Sequence, residues 1–352
     1  MCQKNMDKSI IRRENMKRKM RLSAIVVATL FLLIPLTLFA ASPEYDYYKG
    51  KVITYIVATK PGGGYDAYAR LIGKYMEKHI PGSTLIIKNV PGAGHIIGAN
   101  ETFMAKPDGL TIGTFNTGLI YNQIVGLEGI KFDLAKYSWI GKASNEQRVM
   151  FVRPNSPLKT LKEFMEFKGE IKMASSGVGS AAYTETLLLA KALDINLKAI
   201  PGYQGREGEM AMLRGEVIGQ IASYAPVVAF INTEKCPVVL QIGAKKLKEL
   251  GNVPLLIELK MSEKGKKIGD LMTATIELGR FTAAPPNTRP ERLAVLREAY
   301  KKALSDPNLL KEAEKMKMDI DPLIGEEVAQ LIKEAVMQPA DNVALLKQIV
   351  KE

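Results

Sequence analysis

The chain alternates between short apolar runs and longer stretches in which apolar residues recur at helical spacing. β-branched and other apolar residues, bounded by Gly, Pro or Asn, predict buried strands at 52–59, 85–89, 110–116, 171–175 and 197–200. Amphipathic patterns between these runs predict helices at 67–79, 96–105, 181–193 and 207–214. Strands that alternate with helices favour an α/β fold with mostly parallel sheets flanked by helices.

Towards the C-terminus the pattern changes to helices alone. Helices are predicted at 291–305, 308–317, 326–336 and after Pro339. Three prolines, Pro290, Pro307 and Pro339, lie where these helices begin or where the chain breaks between them.

The length of 352 residues exceeds what one hydrophobic core usually holds, so we expect two lobes. Because no long flexible linker is apparent, we predict that the chain crosses between the lobes at 145–149 and returns at 277–280. The predicted first lobe is therefore discontinuous. It comprises 45–146 and 278–352, and the second lobe comprises 147–277.

The N-terminal stretch differs from the rest of the chain. A basic segment, 4–21, precedes the uncharged apolar segment 22–38, which is followed by Ala40, Ala41 and Ser42. This order is typical of a secretory signal peptide, which we assign to 1–41. The apolar segment of about 17 residues is near the lower limit for a membrane span, so an uncleaved anchor is the alternative. Either reading predicts a periplasmic or extracytoplasmic protein.

Half of the formal net charge of +12 lies in the leader, where eight Lys and Arg face two Asp and Glu. The modest remaining surplus indicates a solvated surface that mildly favours anions and does not predict nucleic-acid binding. Cys2 lies in the leader, so Cys236 cannot form an internal disulfide and is expected to be a buried apolar residue. The two histidines have no spacing suited to zinc, and no metal or cofactor is expected.

One local design occurs three times: an apolar strand leads into a glycine-rich turn that opens a helix. The turns lie at 61–64, where Asp66 is a predicted N-cap, at 91–94, and at 175–180, where Ser180 is a predicted N-cap. Glycines allow close backbone approach, and helix N-termini present free N–H groups with partial positive charge. The combination favours an anion-binding cleft, although a parallel α/β fold also needs glycine turns.

Two catalytic or cofactor readings fit less well. The glycines at 92, 94 and 98 miss the spacing of a dinucleotide fingerprint by one residue, and no glycine loop continues into Lys-Ser or Lys-Thr. An exported hydrolase using Ser176 or Ser180 lacks the nucleophile-elbow motif. His79 is expected at a helix end and His95 as a helix cap, with neither histidine near the serine loop.

A further candidate region, 201–206, follows a predicted strand. Arg206 offers a bidentate donor for a carboxylate, but a surface pair with Glu209 is the favoured interpretation. Tyr203 and Tyr224 are candidates for stacking on a ligand or hydrogen bonding to it, with simple packing as the alternative.

These motifs together resemble the receptor family of tripartite tricarboxylate transporters, the Bug-type solute-binding proteins. The resemblance covers essentially all of the chain after the leader. It is carried by PGGGYDAYAR at 61–70, NVPGAGHIIGAN at 89–100, PDGLTIGTFNTG at 107–118, ASSGVGS at 174–180, GYQGREGEMAMLRGEV at 202–217 and GRFTAAPPNTRPER at 279–292.

The resemblance implies a periplasmic binding protein of type II, a Venus flytrap whose two α/β lobes close over a ligand at the hinge. It implies capture of a mono-, di- or tricarboxylate and its delivery to the membrane subunits of the transporter, without catalysis, and we expect a monomer. The resemblance implies ligand contacts from residues of three loops: Gly62, Gly63, Tyr65, Asp66, Asn116, Thr117, Ser175, Ser176, Gly179 and Ser180. Tyr203 and Tyr224 complete the expected site on the strength of their own positions.

One departure from the family concerns the ligand. Many members place an Asp–Asn pair where this chain reads Ala222-Ser223-Tyr224, so a plain carboxylate is favoured over an amino acid. We expect the negative charge of the ligand to be stabilised by helix N-termini and hydroxyl groups instead of a buried arginine. The alternative role is a sensory protein that presents its ligand to a membrane signalling receptor.

Overall fold

The computed structural model describes residues 44–351, which form two β-sheets with helices packed on their faces. The predicted signal peptide lies outside this part of the chain. The strands between residues 44 and 351 are β1 (Val52–Val57), β2 (Thr84–Asn89), β3 (Thr111–Phe115), β4 (Ser138–Lys142), β5 (Arg148–Val152), β6 (Ile171–Ala174), β7 (Leu197–Ile200), β8 (Gly219–Ser223), β9 (Val238–Ile242), β10 (Phe281–Ala284) and β11 (Leu323–Ile324).

The α-helices of the same part of the chain are α1 (Gly64–Lys78), α2 (Ile96–Met104), α3 (Gly118–Val125), α4 (Leu161–Glu166), α5 (Ala181–Leu193), α6 (Glu207–Leu213), α7 (Tyr224–Glu234), α8 (Glu263–Glu277), α9 (Pro290–Ser305), α10 (Pro307–Lys315), α11 (Glu326–Val336) and α12 (Ala340–Lys351). Short 3-10 helices lie at Tyr45–Tyr48, Ala93–His95, Leu134–Lys136, Lys248–Leu250 and Leu256–Glu258.

Local sequence signals account for several of these helix starts. Thr160 and Glu163 form a reciprocal capping box at the start of α4, and Ser180 accepts a hydrogen bond from the Tyr183 amide at the start of α5. Pro290 and Pro307 are the first residues of α9 and α10, where a missing N–H costs nothing. The predicted strands and helices are present in the structure, most of them to within a few residues.

The first sheet has the strand order β11-β4-β10-β3-β1-β2, and the second has the order β7-β6-β8-β5-β9. The pairs β1–β2, β1–β3, β6–β7 and β6–β8 are parallel. The remaining five pairs are antiparallel. The sheets are therefore mixed, and the prediction of mostly parallel sheets was wrong.

The antiparallel strands explain this correction. Two of these strands enter their sheet from the other lobe: β5 follows the first crossing and β10 follows the return. β4 runs in the same direction as β3 and pairs antiparallel with β10 and the short β11. A chain that arrives from the other lobe enters its sheet against the direction set by the βαβ units. The apolar pattern of a strand carries no information about that direction.

The largest hydrophobic cluster of the described residues spans both sheets. It joins Phe115, Trp139 and Phe281 of the first sheet to Met150 and Val239 of the second. Helix α12 also bridges the two, because it packs against α3 and α5. The two-lobed α/β fold is thus built around a shared core, and the lobe boundaries given above stay a prediction.

Candidate ligand-binding site

A cavity of about 270 Å³ lies between the two sheets, beside the loops that follow β1, β3 and β6. It is lined by seven of the residues predicted from sequence, namely Gly62, Gly63, Tyr65, Asn116, Ser175, Ser176 and Tyr203. Five others, Asp66, Thr117, Gly179, Ser180 and Tyr224, are not part of its lining. The role of each in ligand binding stays a prediction.

Loops from the two lobes touch around this cavity. Lys60 Nζ lies 3.0 Å from Glu207 Oε1, and Asn122 Nδ2 donates to the Gly179 carbonyl at 2.8 Å. Gly94 packs so tightly on the facing loop that an added Cβ would lie 2.4 Å from the Val178 carbonyl oxygen. The lobes are therefore closed on one another, and position 94 admits no side chain without displacing backbone.

The first glycine loop places the start of α1 at the cavity. Gly62 has a φ of +87°, and Gly63 is the N-cap residue of a helix that no side chain caps. The first amides of this 15-residue helix therefore keep their partial positive charge for another acceptor.

Asp66 is not the N-cap that the sequence predicted, because α1 begins at Gly64, three residues before the predicted start at residue 67. Its carboxylate, 4% exposed, accepts hydrogen bonds from the Gly62 amide, Arg70 Nε and Asn89 Nδ2 at 2.9–3.0 Å. Burial acts to raise the pKa of Asp66, but these hydrogen bonds outweigh it and lower the pKa. Asp66 therefore stabilises the conformation of the glycine loop through the Gly62 amide and is not itself part of the cavity lining.

His95, in the second glycine loop, lines the same cavity as Ser176. The expectation that neither histidine lies near the serine loop was wrong. His95 occupies the N-cap position of α2 with a φ of +82°, but its side chain makes no capping hydrogen bond. The ring packs edge-on against Tyr65 at 5.8 Å, and burial lowers the pKa of His95 to about 4. The imidazole is therefore neutral near pH 7.

The serine loop, residues 175–180, has hydroxyl groups with different roles. Two of them hydrogen-bond to the protein, and Ser176 lines the cavity. Ser175 Oγ donates to the Ile200 carbonyl at 3.2 Å, and Ser180 Oγ caps α5 as predicted. Ser176 is half-buried and lines the cavity. Gly179 has a φ of +80° and receives the hydrogen bond from Asn122 that joins the lobes.

The remaining predicted residues lie around this centre. Asn116 Oδ1 accepts from the Gly118 amide at 2.8 Å, at the start of α3. Thr117 is fully buried, and its Oγ1 has no hydrogen-bond partner among the described residues. Tyr203 donates to Glu216 at the protein surface, and Tyr224 is the first residue of α7, buried in the second lobe.

The structure adds a cluster of buried charges that the sequence reasoning missed, which we call the hinge wall: Glu146, Arg148, Glu185 and Arg280. Arg148 Nε donates to Glu185 Oε2 at 2.8 Å, and Arg280 Nη2 lies 3.0 Å from Glu146 Oε1. Both arginines line the cavity. Both guanidinium groups have a carboxylate partner, although Arg280 Nε and Nη1 have no hydrogen-bond partner among the described residues. That helix N-termini and hydroxyl groups, instead of a buried arginine, meet the ligand charge stays a prediction.

Glu146 joins the two lobes. Its Oε1 atom accepts from Tyr65 of the first sheet's lobe at 2.7 Å and from Ser223 of the second at 2.8 Å. Burial acts to raise the pKa of Glu146, but the charges of Arg280 and Arg148 outweigh it and lower the pKa. This carboxylate is therefore ionised and holds both sides of the closed cavity.

A second group of polar residues, which we call the Glu209 wall, comprises Arg206, Glu209 and Gln220. Glu209 is 6% exposed and makes no ion pair with the described residues, so the predicted surface pair of Arg206 with Glu209 was wrong. Burial raises the pKa of Glu209, and the hydrogen bond from its own backbone amide and the charge of Arg206 offset this only in part.

The missed residues had a weak signal in the sequence. Glu146 and Arg148 lie in the predicted crossing at 145–149, and Arg280 ends the predicted return at 277–280. Charged residues in short segments between buried strands are unusual, and they cost energy unless they are paired. We read these segments only as connections.

Other candidate chemistry is sparse in the described part of the chain. Cys236 is buried, His79 ends α1, and no group of three His, Cys, Asp or Glu residues between 44 and 350 is placed to hold a metal. In the same range, no helix is both long and apolar enough to span a membrane.

Sequence comparisons identify relatives along most of the chain. A family model described as the tripartite tricarboxylate transporter family receptor matches residues 68–349. A Cupriavidus necator protein, the UPF0065 protein in the gbd 5′ region, is 24% identical over 334 residues, which cover 91% of this chain and 95% of that protein. The BugT protein of Bordetella pertussis is 24% identical over 255 residues, covering 70% and 74% of the two chains.

Solved structures share the fold. The periplasmic binding protein BugD has a TM-score of 0.71 at 22% identity, covering 86% of this chain and 98% of BugD. MatC from Rhodopseudomonas palustris, solved with bound malate, has a TM-score of 0.69 at 22% identity, covering 85% and 99%. With the family model matching 282 consecutive positions, from 68 to 349, the chain belongs to the receptor family of tripartite tricarboxylate transporters, a family of periplasmic solute-binding proteins.

Proposed function

We propose that the protein captures a small organic carboxylate outside the cytoplasmic membrane and presents it to the membrane subunits of a tripartite tricarboxylate-type transporter. The observation that carries the proposal is the cavity between the lobes, which is lined both by the uncapped start of α1 and by Ser176 of the facing loop. Family neighbours solved with malate and with adipate support a carboxylate ligand.

Anion binding at this place follows from the backbone. A helix start with free amides and a glycine at positive φ allows an acid group to approach the N–H groups directly. Closure of the lobes excludes water, which strengthens each of these interactions. The Ser176 hydroxyl, on the facing loop, supplies a further hydrogen-bond donor.

The proposed role is capture without covalent chemistry. His95 and Ser176 share the cavity, but no hydrogen bond joins them in the described part of the molecule, and neutral His95 has no carboxylate to orient it as a base. We further propose that the leader directs export, that the protein works as a monomer, and that it needs no cofactor.

Thermal unfolding of the purified protein with a panel of organic acids, amino acids and sugars tests the proposal. A ligand present at about 100 times its dissociation constant stabilises the folded state by about 2.7 kcal/mol, which raises the unfolding midpoint. We expect such a rise with at least one carboxylate and with no sugar. A rise with sugars alone would contradict carboxylate capture.

A matched pair of glycine variants locates the response. Gly63→Leu places a side chain beside Gly205 of the facing loop, and its φ of −86° suits any residue, so we expect the protein to fold and to lose the acid-dependent rise. Gly251→Leu is the control, because this exposed glycine also has an ordinary φ, −53°, and lies outside the cavity. Equal responses from both variants would place the acid elsewhere.

Delivery to the transporter needs a separate test. Uptake of the identified acid is measured in cells that contain the membrane subunits, with and without this protein. We expect uptake to depend on the protein and to fail with Gly63→Leu. Uptake that proceeds equally without it would contradict the transport role and favour ligand presentation to a signalling receptor.

A further inference from the structure

Glu209 lines the cavity and has no ion-pair partner among the described residues; its own backbone amide is the group that hydrogen-bonds to its side chain. The residue is 6% exposed, and its Oε2 atom has no hydrogen-bond partner within residues 44–350. Buried carboxyl groups are ordinarily hydrogen-bonded or paired with a cation, because removing them from water without compensation is costly. A buried carboxyl group that belongs to the lining of a ligand cavity, and keeps an oxygen without a partner, is the group whose missing partner a ligand can supply.

The charged groups around Glu209 are engaged elsewhere or exposed. On its own helix, Glu207 pairs with Lys60 and accepts a hydrogen bond from the Gln204 amide. Arg206, in the preceding loop, is exposed and acts on Glu209 only at a distance. The two buried arginines of the cavity are paired with Glu146 and Glu185.

From this geometry we propose that the ligand is a carboxylic acid that also carries a hydrogen-bond donor, a hydroxyl or an ammonium group, and that Glu209 accepts the bond from this donor. The inference rests on the proposed function and narrows its ligand class. Many family members have an acidic residue where this chain reads Ala222-Ser223-Tyr224. In the proposed site Glu209 of α6 takes the place of that acidic residue.

The chemistry of a carboxyl group favours a donor over the other substituents. A carboxyl keeps an acceptor oxygen whether it is ionised or protonated. An acid without a donor leaves that oxygen unpaired in the closed cavity, and such sites reject the deficient ligand strongly. A second ligand carboxylate facing Glu209 would have to share a proton with it, because like charges at short distance cannot both ionise freely.

Calorimetric titration at neutral pH tests the inference. The probes are matched short-chain acids that carry hydrogen, hydroxyl, ammonium or a second carboxylate at the end far from the first carboxylate. For the wild-type protein we expect a hydroxyl- or ammonium-bearing acid to bind about 10- to 100-fold more tightly than its unsubstituted counterpart.

Two variants distinguish the donors, and a third is the control. Glu209→Gln keeps an acceptor oxygen and removes the negative charge, so it should weaken an ammonium-bearing acid and spare a hydroxyl-bearing one. Glu209→Leu should weaken both. Glu166→Gln makes the same change on an exposed helix of the same lobe and should leave every affinity unchanged.

The possible outcomes separate a failure of the inference about Glu209 from a failure of the proposed function. A wild-type preference for the unsubstituted acid or the dicarboxylate, or unchanged affinities in both Glu209 variants, would overturn the inference and leave carboxylate capture standing. Absence of binding by every acid would contradict the proposed function itself. If Glu209→Leu does not fold, the comparison of Glu209→Gln with Glu166→Gln on the ammonium-bearing and hydroxyl-bearing acids still decides.

Discussion

The two arginines of the hinge wall line the same cavity as the Glu209 wall, but buried charge is paired at the hinge wall and has no ion-pair partner at Glu209. At the hinge wall, two carboxylates and two guanidinium groups pair at 2.5–3.0 Å and leave no net charge. At the Glu209 wall, one buried carboxyl has no such partner. Nearness to the cavity therefore does not define a ligand contact. The absence of an ion-pair partner, among the described residues, distinguishes Glu209 from the charged residues of the hinge wall.

The two glutamates show the difference through their pKa. Both are desolvated, and burial alone raises a carboxyl pKa. At Glu146 the charges of Arg280 and Arg148 overcome burial, so the pKa is lowered, whereas at Glu209 burial prevails and the pKa is raised. The charges of the hinge wall are paired with one another before the ligand arrives, whereas Glu209 has no ion-pair partner among the described residues. The pairing is incomplete at the level of single atoms, because Glu146 Oε2, Glu185 Oε1 and two nitrogens of Arg280 have no hydrogen-bond partner within residues 44–350, and burial raises the pKa of Glu185.

The largest expected effect comes from breaking a pair of the hinge wall. Arg148→Met removes the partner of Glu185, which is completely buried, so we expect the free energy of unfolding to fall by about 3–5 kcal/mol. Urea unfolding measures the loss. The control is Arg214→Met, whose pair with Glu216 is exposed and should cost less than about 1 kcal/mol. Equal costs for the two variants would show that the hinge wall is not a buried ion-pair cluster.

Glu146→Gln removes the negative charge that pairs with Arg280 and keeps the shape of the side chain, so one charge of the hinge wall loses its ion-pair partner. Because the folded-state pKa of Glu146 is lowered, its stabilising contribution is present above the ordinary value of 4.5 and is lost as the pH falls towards the folded-state pKa. We expect the variant to be less stable by about 2 kcal/mol at neutral pH, with a smaller deficit in acid. A deficit that grows as the pH falls below the ordinary value would contradict this sign.

Glu209→Gln should have the opposite effect in the ligand-free protein. A raised folded-state pKa means that the stabilising contribution of Glu209 is present below 4.5 and is lost as the pH rises through the folded-state pKa. The variant should therefore be more stable than the wild type by about 1 kcal/mol at neutral pH, and the gain should vanish in acid. Urea unfolding at both pH values measures it, and a loss of stability at neutral pH would show that Glu209 has a stabilising partner.

The smallest effect is expected outside both walls. Lys60 and Glu207 pair across the lobes with both side chains 47% exposed, so Lys60→Ala should cost less than about 1 kcal/mol in stability. We expect only a small loss of ligand affinity, which salt should reduce further. Titration at low and high salt checks this, and a large loss that does not respond to salt would mean that this contact controls closure.

Much of the fold was predictable because its signals are local. The bounds of α5 and β7 were predicted to the residue, since Ser180 caps the helix and short apolar runs end at turns. The start of α1 was placed too late because glycines at the start of a helix resemble a loop, and Asp66 is a good N-cap residue in a position where it serves a different purpose. The prediction of strand direction was wrong because the direction of a strand depends on how the chain crosses between the lobes.

The site was predictable only where glycines and hydroxyls mark a turn. Glu146 and Arg280 are 134 positions apart in the chain, and no spacing rule connects them. The sequence predicts a surface position for Glu209 because Arg206 lies three positions before it, at the spacing of a helical ion pair. Burial separates the paired carboxylate from the unpaired one, and burial is a property of the folded molecule.

A crystal structure of the protein with the acid that binds most tightly tests the central claim most directly. We predict one ligand carboxylate at the start of α1, between the Gly62–Gly63 turn and Ser176, and a donor group of the ligand within hydrogen-bond distance of Glu209. A ligand bound outside the cavity, or one whose acid group lies against Glu209 while the start of α1 stays unoccupied, would contradict the account.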